Sequence, residues 1–191
     1  MAHNDTEIEI KIKISKAKFL ETKKKLNKIA KFLKITTQED TYFTPPHRNF
    51  LGVKYPFEWL SIRKRGKKNI LSYKHYHPEN VKDTTYCDEL ETEIAKIEQI
   101  EKIFKAIDFK KLVTVDKTRE LYQFKNQFEI ALDEVKELGY FIEIETIKDF
   151  GSVENARKEL FDFAKFLEID VSHPDFRGYP YLLMEKKGLI K

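Results

Sequence analysis

The stretch "EIEIKIKI" (7–14) alternates a charge with an isoleucine, from Glu7 through Lys13 and Ile14, without a slip. Successive side chains of a strand point to opposite faces, so Glu7, Glu9, Lys11 and Lys13 share one face and the isoleucines the other. Taken alone, that is a strand with one wet face and one packed face. Two carboxylates followed by two ammoniums on one line ask for more, and the test is whether the pattern returns.

It returns along the chain. "LETEI" sets Glu91 and Glu93 on one face, and "FIEIETI" does the same with Glu143 and Glu145. "SIRKR" pairs Arg63 with Arg65, "VDKTR" pairs Lys117 with Arg119, and "IALDEV" places Asp133 alone in a mainly apolar strand. Like charges at i and i+2 repel unless something compensates, and the natural compensation is an ion of opposite sign. Carboxylate pairs suit a hard divalent cation such as Mg2+ or Mn2+. Lysine and arginine pairs suit phosphate oxygens, with arginine adding bidentate geometry.

The segments around these pairs predict the frame. A helix is expected over 15–34 with Ser15 as its cap, then a strand over 35–45 stopped by Pro45 and Pro46. A hairpin is expected over 57–65 and 69–77 around "GKK", a strand over 85–94 and a helix over 95–107. Two strands follow within 109–127, then a hairpin over 128–147 turning at Glu137 to Gly139, and a helix over 152–169 capped by Ser152. The tail "RGYPYLLMEKKG" reads as strand or short helix. About eight or nine strands and three helices result, joined by short turns, which points to an antiparallel sheet closing into a barrel or splitting into a sandwich. Phe19, Leu26, Phe161 and Phe166 are expected in the core, with Cys87 packed or idle. His75 and His77 share a face at a strand end and are expected to be exposed rather than to bind metal.

If the strands close into a barrel, every charged row can face the lumen and every isoleucine row can lie under helices. Such a lumen would hold a highly charged anion carrying metal ions, a description that a nucleotide or inorganic triphosphate fits.

Composition agrees. The chain has 191 residues, 41% hydrophobic and 36% charged, with a net charge of only +4. That is a folded chain with both signs interleaved, and a single domain over 1–191 is expected because no linker breaks it. The weak positive balance does not argue for nucleic acid, and Lys23, Lys24, Lys25, Lys28 and Lys31 read as a solvated helix face. One cysteine excludes an internal disulfide. No transmembrane-length apolar run and no signal-peptide core are present, so no membrane partner and a cytoplasmic location are expected. An isologous homodimer stays open.

In order along the chain, "EIEIK", "QEDTYF", "WLSIRKRG", "SYK", "ELETEI", "VDKTR", "IALDEVKELGYFIEIE" and "YPYLLME" resemble the signature series of the CYTH family, also called triphosphate tunnel metalloenzymes. This group contains class IV adenylyl cyclases and thiamine triphosphatases. The resemblance implies an α+β fold, an eight-stranded antiparallel closed barrel with helices outside and charged side chains inside. It implies metal ligation by Glu7, Glu9, Glu143 and Glu145, with Asp133 near them, and further acidic lumen positions at Glu91 and Glu93. It implies a triphosphate gripped by Lys11, Arg63, Lys74, Lys117 and Arg119, with Lys13 either ligand or rim charge. Catalytic roles would fall to Glu7, Glu9, Lys11, Glu143 and Glu145. Two positions depart from the family pattern. Ser61 stands where the third strand often has an arginine, a charge that Arg65 could supply, and Glu89 stands where the fifth strand often has one.

The expected activity is Mg2+- or Mn2+-dependent hydrolysis of inorganic, nucleoside or thiamine triphosphate. The alternatives are a class IV-like cyclase converting ATP to cyclic AMP and pyrophosphate, or a non-catalytic sensor of polyphosphate or nucleotide. A barrel binding RNA 5′ ends is a third rival.

Overall fold

The computed structural model describes residues 6–172 and 177–190. Nine strands and four helices occur among them, in the order β1 (Thr6–Glu7), β2 (Glu9–Ile14), α1 (Lys16–Ile29), β3 (Lys31–Thr44), β4 (Glu58–Arg65), β5 (Lys68–His77), β6 (Tyr86–Glu93), α2 (Ile97–Ala106), β7 (Lys110–Phe124), β8 (Phe128–Val135), β9 (Gly139–Thr146), α3 (Val153–Phe166) and α4 (Tyr179–Lys186). The strands form one sheet in the order β1-β6-β5-β4-β3-β7-β8-β9-β2. The sheet's two end strands, β1 and β2, are separated in sequence by Ile8 alone, which is the connectivity of an antiparallel barrel. The count exceeds the expected eight because the opening stretch breaks at Ile8. Glu7 closes the short strand β1 with Thr6, and Glu9–Ile14 form β2, which pairs with β9.

The chain packs as two compact units. One comprises residues 7–36 and 117–172 (the first unit below), the other residues 6, 37–116 and 177–190 (the second). In the first unit, alternation decides the core. Ile10 and Ile12 of β2, Ile130 and Leu132 of β8, and Ile142 and Ile144 of β9 all face one way and meet Phe19 and Leu26 of α1 and Leu160, Phe163 and Ala164 of α3. Burying each such side chain stabilises the fold by about 1.5–3 kcal/mol before entropy is counted. Ser15 and Ser152 cap their helices as expected, accepting from the backbone N–H of Lys18 and Asn155. The β7–β8 hairpin turns on Lys125 and Asn126, both at positive φ, the backbone of a type I′ turn that suits strand twist.

The second unit packs Phe43 of β3 and Ile62 of β4 against Ile97 and Phe104 of α2. Its β4–β5 hairpin turns at Gly66 and Lys67 between the paired residues Arg65 and Lys68, with Gly66 at a φ of +64°.

Four expectations change. The first helix stops at Ile29, since Ala30 is extended and Phe32 in β3 packs its ring 5.4 Å from that of Tyr122. Residues 109–127 hold one strand, β7, where two were expected, because alternation runs through Thr118 and Arg119 without a turn residue. Phe166 is 52% exposed rather than core, lying over Lys25 at the end of α3. The tail resolves as α4, where Pro180 sits in the first turn and gives up no needed N–H. No helix among the described residues is long and apolar enough to cross a membrane.

Candidate active site

The face of the first unit opposite its isoleucines carries the charges, and strand register arranges them in rows. Glu9 of β2 pairs with Glu145 of β9, which pairs with Glu129 of β8. One pleat along, Lys11 stands opposite Glu143, and Glu143 opposite Ala131. The next row joins Lys13, Phe141, Asp133 and, on β7, Arg119. Lys117 stands opposite Val135.

Much of this face is out of solvent. Lys11 is 5% exposed, Lys117 7% and Asp133 0%. Charges so deep require partners. Arg119 donates to both oxygens of Asp133, at 2.8 Å and 2.6 Å, and also to Glu143. The Lys117 ammonium lies 4.0 Å from Asp133. Lys13, by contrast, is exposed, with its ammonium 5.8 Å from the Phe141 ring centroid. Glu7 lies in β1, on the far side of the break at Ile8 from Glu9.

The second unit has its own charged face. Arg63 donates to Ser61 at 3.1 Å, to Glu89 at 2.7 Å and to Glu91 at 2.6 Å. Lys74 lies 3.3 Å from Glu89, and Arg65 donates to Asp40 at 3.3 Å. Glu93 stands at the exposed end of β6 beside Lys68. Burial lowers the Arg63 pKa, but Glu89, Tyr42, Asp40 and Glu91 outweigh it, so the net shift is upward and the guanidinium stays charged. Burial pushes the Glu91 carboxyl up, helped by the neighbouring Glu89 and opposed by Arg63. Burial also raises the Tyr42 hydroxyl, as does Asp40. His75 and His77 point to the other face of β5, their rings stacked at 4.5 Å and their Nε2 atoms 2.9 Å from Glu79 and Asp88.

Register shows how the first unit suits a divalent metal. Glu9, Glu129 and Glu145 place three carboxylates side by side on three adjacent strands, where like charges repel unless a cation is shared. Oxygen-only donors are the set that a hard ion such as Mg2+ or Mn2+ takes. Among the described residues no three His, Cys, Asp or Glu side chains are yet gathered around a common point. The donor chemistry fits a hard cation, and the register puts the three carboxylates on neighbouring strands.

Glu129 was not among the residues singled out from sequence. The signal was present, since Glu129, Ala131 and Asp133 alternate on one face of "FEIALDEV". Asp40, Tyr42 and Ser72 were missed for another reason: one polar residue in a strand says nothing until its neighbours across the sheet are known.

Residues 5–179 match the family model described as "CYTH domain". The chain belongs to the CYTH family. A curated relative from Methanocaldococcus jannaschii, named "Putative adenylate cyclase", is 33% identical over 96% of this chain and 99% of its own. A solved Pyrococcus horikoshii protein is 30% identical, with a TM-score of 0.78 over 94% of this chain and 99% of that one. A Hippeastrum protein, described as a "putative adenylyl cyclase" with a dominant triphosphatase activity, matches with a TM-score of 0.66 at 20% identity, over 96% of this chain and 95% of that one. The last likeness is one of fold alone. This CYTH chain thus has the α+β antiparallel barrel fold of its relatives, with nine strands among the described residues where eight were expected.

Proposed function

We propose that this CYTH chain is a divalent-metal-dependent triphosphatase. The observation that carries the reading is the first unit's charged face, where the Glu9–Glu145–Glu129 row lies one pleat from Lys11 and two from Arg119. A pure anion binder has no use for such a row, whereas an enzyme that binds a metal–triphosphate needs both signs together.

In this reading Glu9, Glu129 and Glu145 hold Mg2+ or Mn2+, with Glu7 and Glu143 completing the set. The bound ion supplies charge neutralisation at phosphate oxygens. Lys11 and Lys117, buried and cationic, bind the non-bridging oxygens and keep bulk water from them. Arg119 contributes a further cation beside the phosphates, and Asp133 fixes the plane of its guanidinium by accepting two hydrogen bonds. As water adds to the terminal phosphorus and the bridging P–O bond breaks, the departing oxygen gains charge that these cations stabilise. The products are orthophosphate and the shortened phosphate chain. Arg63, Arg65 and Lys74 form a second cluster of phosphate-binding type in the other unit.

A second reading, cyclisation of ATP to cyclic AMP and pyrophosphate, is favoured by the name of the Methanocaldococcus relative. One experiment separates them: orthophosphate and cyclic AMP are measured from ATP, thiamine triphosphate and inorganic triphosphate with Mg2+ or Mn2+, for the wild type beside Glu9→Gln. Orthophosphate release that disappears in Glu9→Gln is the expected result. Cyclic AMP with pyrophosphate would transfer the assignment to the cyclase. No turnover with binding intact would leave a sensor.

A further inference from the structure

Glu89 sits at the centre of the second unit's charged face. Its Oε1 accepts from Arg63 at 2.7 Å and from the Ser72 hydroxyl at 2.9 Å, and its Oε2 lies 3.3 Å from the Lys74 ammonium. All these groups are withdrawn from solvent, with side-chain exposures of 9% for Arg63, 10% for Glu89 and 14% for Lys74. Lys74 is the register partner of Glu89, and Ser72 lies one pleat further along β5. A guanidinium, an ammonium and a hydroxyl converging on two oxygens are the donors that a phosphate would take. Here the chain's own carboxylate takes them.

The rest of that face is balanced in the same way. Arg63 also meets Glu91, and Arg65 meets Asp40. The three cations Arg63, Arg65 and Lys74 therefore face the three carboxylates Asp40, Glu89 and Glu91. An incoming anion meets little net charge there until a carboxylate moves away. Displacing Glu89 costs the same for every phosphate compound, and only one of high charge recovers that cost.

We propose that Glu89 is a specificity-determining residue, an internal phosphate mimic that holds the Arg63–Lys74–Ser72 seat and yields it to a triphosphate but not to shorter phosphates. This rests on the triphosphate reading above and adds how length is judged. It also lets the product leave, because a diphosphate competes poorly with a carboxylate already in place.

The test is metal-free titration calorimetry in EDTA with orthophosphate, diphosphate and tripolyphosphate, on the wild type, Glu89→Gln and Glu89→Asp. In Glu89→Gln, which removes one charge and nearly no volume, diphosphate is expected to bind about tenfold more tightly, and the preference for tripolyphosphate over diphosphate to shrink. Glu89→Asp keeps every charge and every donor of the seat but draws the carboxylate back, so a smaller shift in the same direction is expected. Equal diphosphate affinity in wild type and folded Glu89→Gln would overturn the proposal and leave Glu89 as part of an ion-pair network. If Glu89→Gln does not fold, Glu89→Asp decides, and an unchanged diphosphate affinity there overturns it. Turnover assays fail separately: a wild type that binds tripolyphosphate but hydrolyses nothing sinks the triphosphatase reading while the affinity comparison still stands.

Discussion

Arg119 and Asp133 stand directly opposite one another on β7 and β8, and the guanidinium holds both carboxylate oxygens, at 2.8 Å and 2.6 Å. Asp133 is fully buried and the Lys117 ammonium is 4.0 Å away. The carboxylate thus neutralises one cation firmly and a second at longer range. Two cations and one carboxylate share a site largely withdrawn from solvent.

Removing that carboxylate should therefore unfold more than it frees. Asp133→Asn keeps the shape but leaves Arg119 and Lys117 short of charge, and should cost about 3 kcal/mol in urea-induced unfolding. A loss below about 1 kcal/mol would mean that water screens the pair as it does at a surface.

The carboxylate row should report on metal instead. Glu145 stands between Glu9 and Glu129 across the sheet, placed to share a cation with them. Glu145→Gln should shrink the rise in melting temperature that Mn2+ produces over EDTA in the wild type. A mutant with an unchanged Mn2+ response would remove Glu145 from the metal set.

Glu91 supplies a pH dependence whose sign follows from its raised pKa. Between the ordinary carboxylate pKa and its own higher folded value, the folded state holds more protons than the unfolded state. Its contribution to stability is thus largest below the ordinary value and falls as pH rises through the folded value. Subtracting the unfolding free energy of Glu91→Gln from that of the wild type at each pH isolates this effect. The difference should decline with rising pH across that window, and a rising difference would contradict the assignment.

In the core, Leu26 of α1 is 0% exposed and lies in the isoleucine cluster of β2, β8 and β9. Leu26→Ala should cost about 2–5 kcal/mol, read from chemical denaturation. A cost near that of a surface change would mean that α1 does not hold the sheet.

How much of this was legible beforehand can be judged from particular residues. The two faces of β2 and β9 were, because a strand's side-chain period is two and each isoleucine in "EIEIKIKI" and "FIEIETI" declares its side. The caps at Ser15 and Ser152 were legible for the same local reason. The end of α1 was not, because Leu26, Ile29, Ala30 and Leu33 keep helical spacing into residues that the sheet takes as β3, where Phe32 meets the ring of Tyr122. Glu129 is half legible, since its alternation with Asp133 is local while its neighbour Glu145 is not.

The sequence by itself determined which residues are charged, which face of its strand each occupies and, through the ordered motifs, the family. These are local properties of a chain with period two. Only the tertiary structure decided which charge meets which. It set Glu9 beside Glu145 and Glu129, locked Arg119 to Asp133, and placed Glu89 rather than an open seat between Arg63 and Lys74. Register and long-range pairing set the distances between charges, and a charge's energy in a dry site depends on those distances.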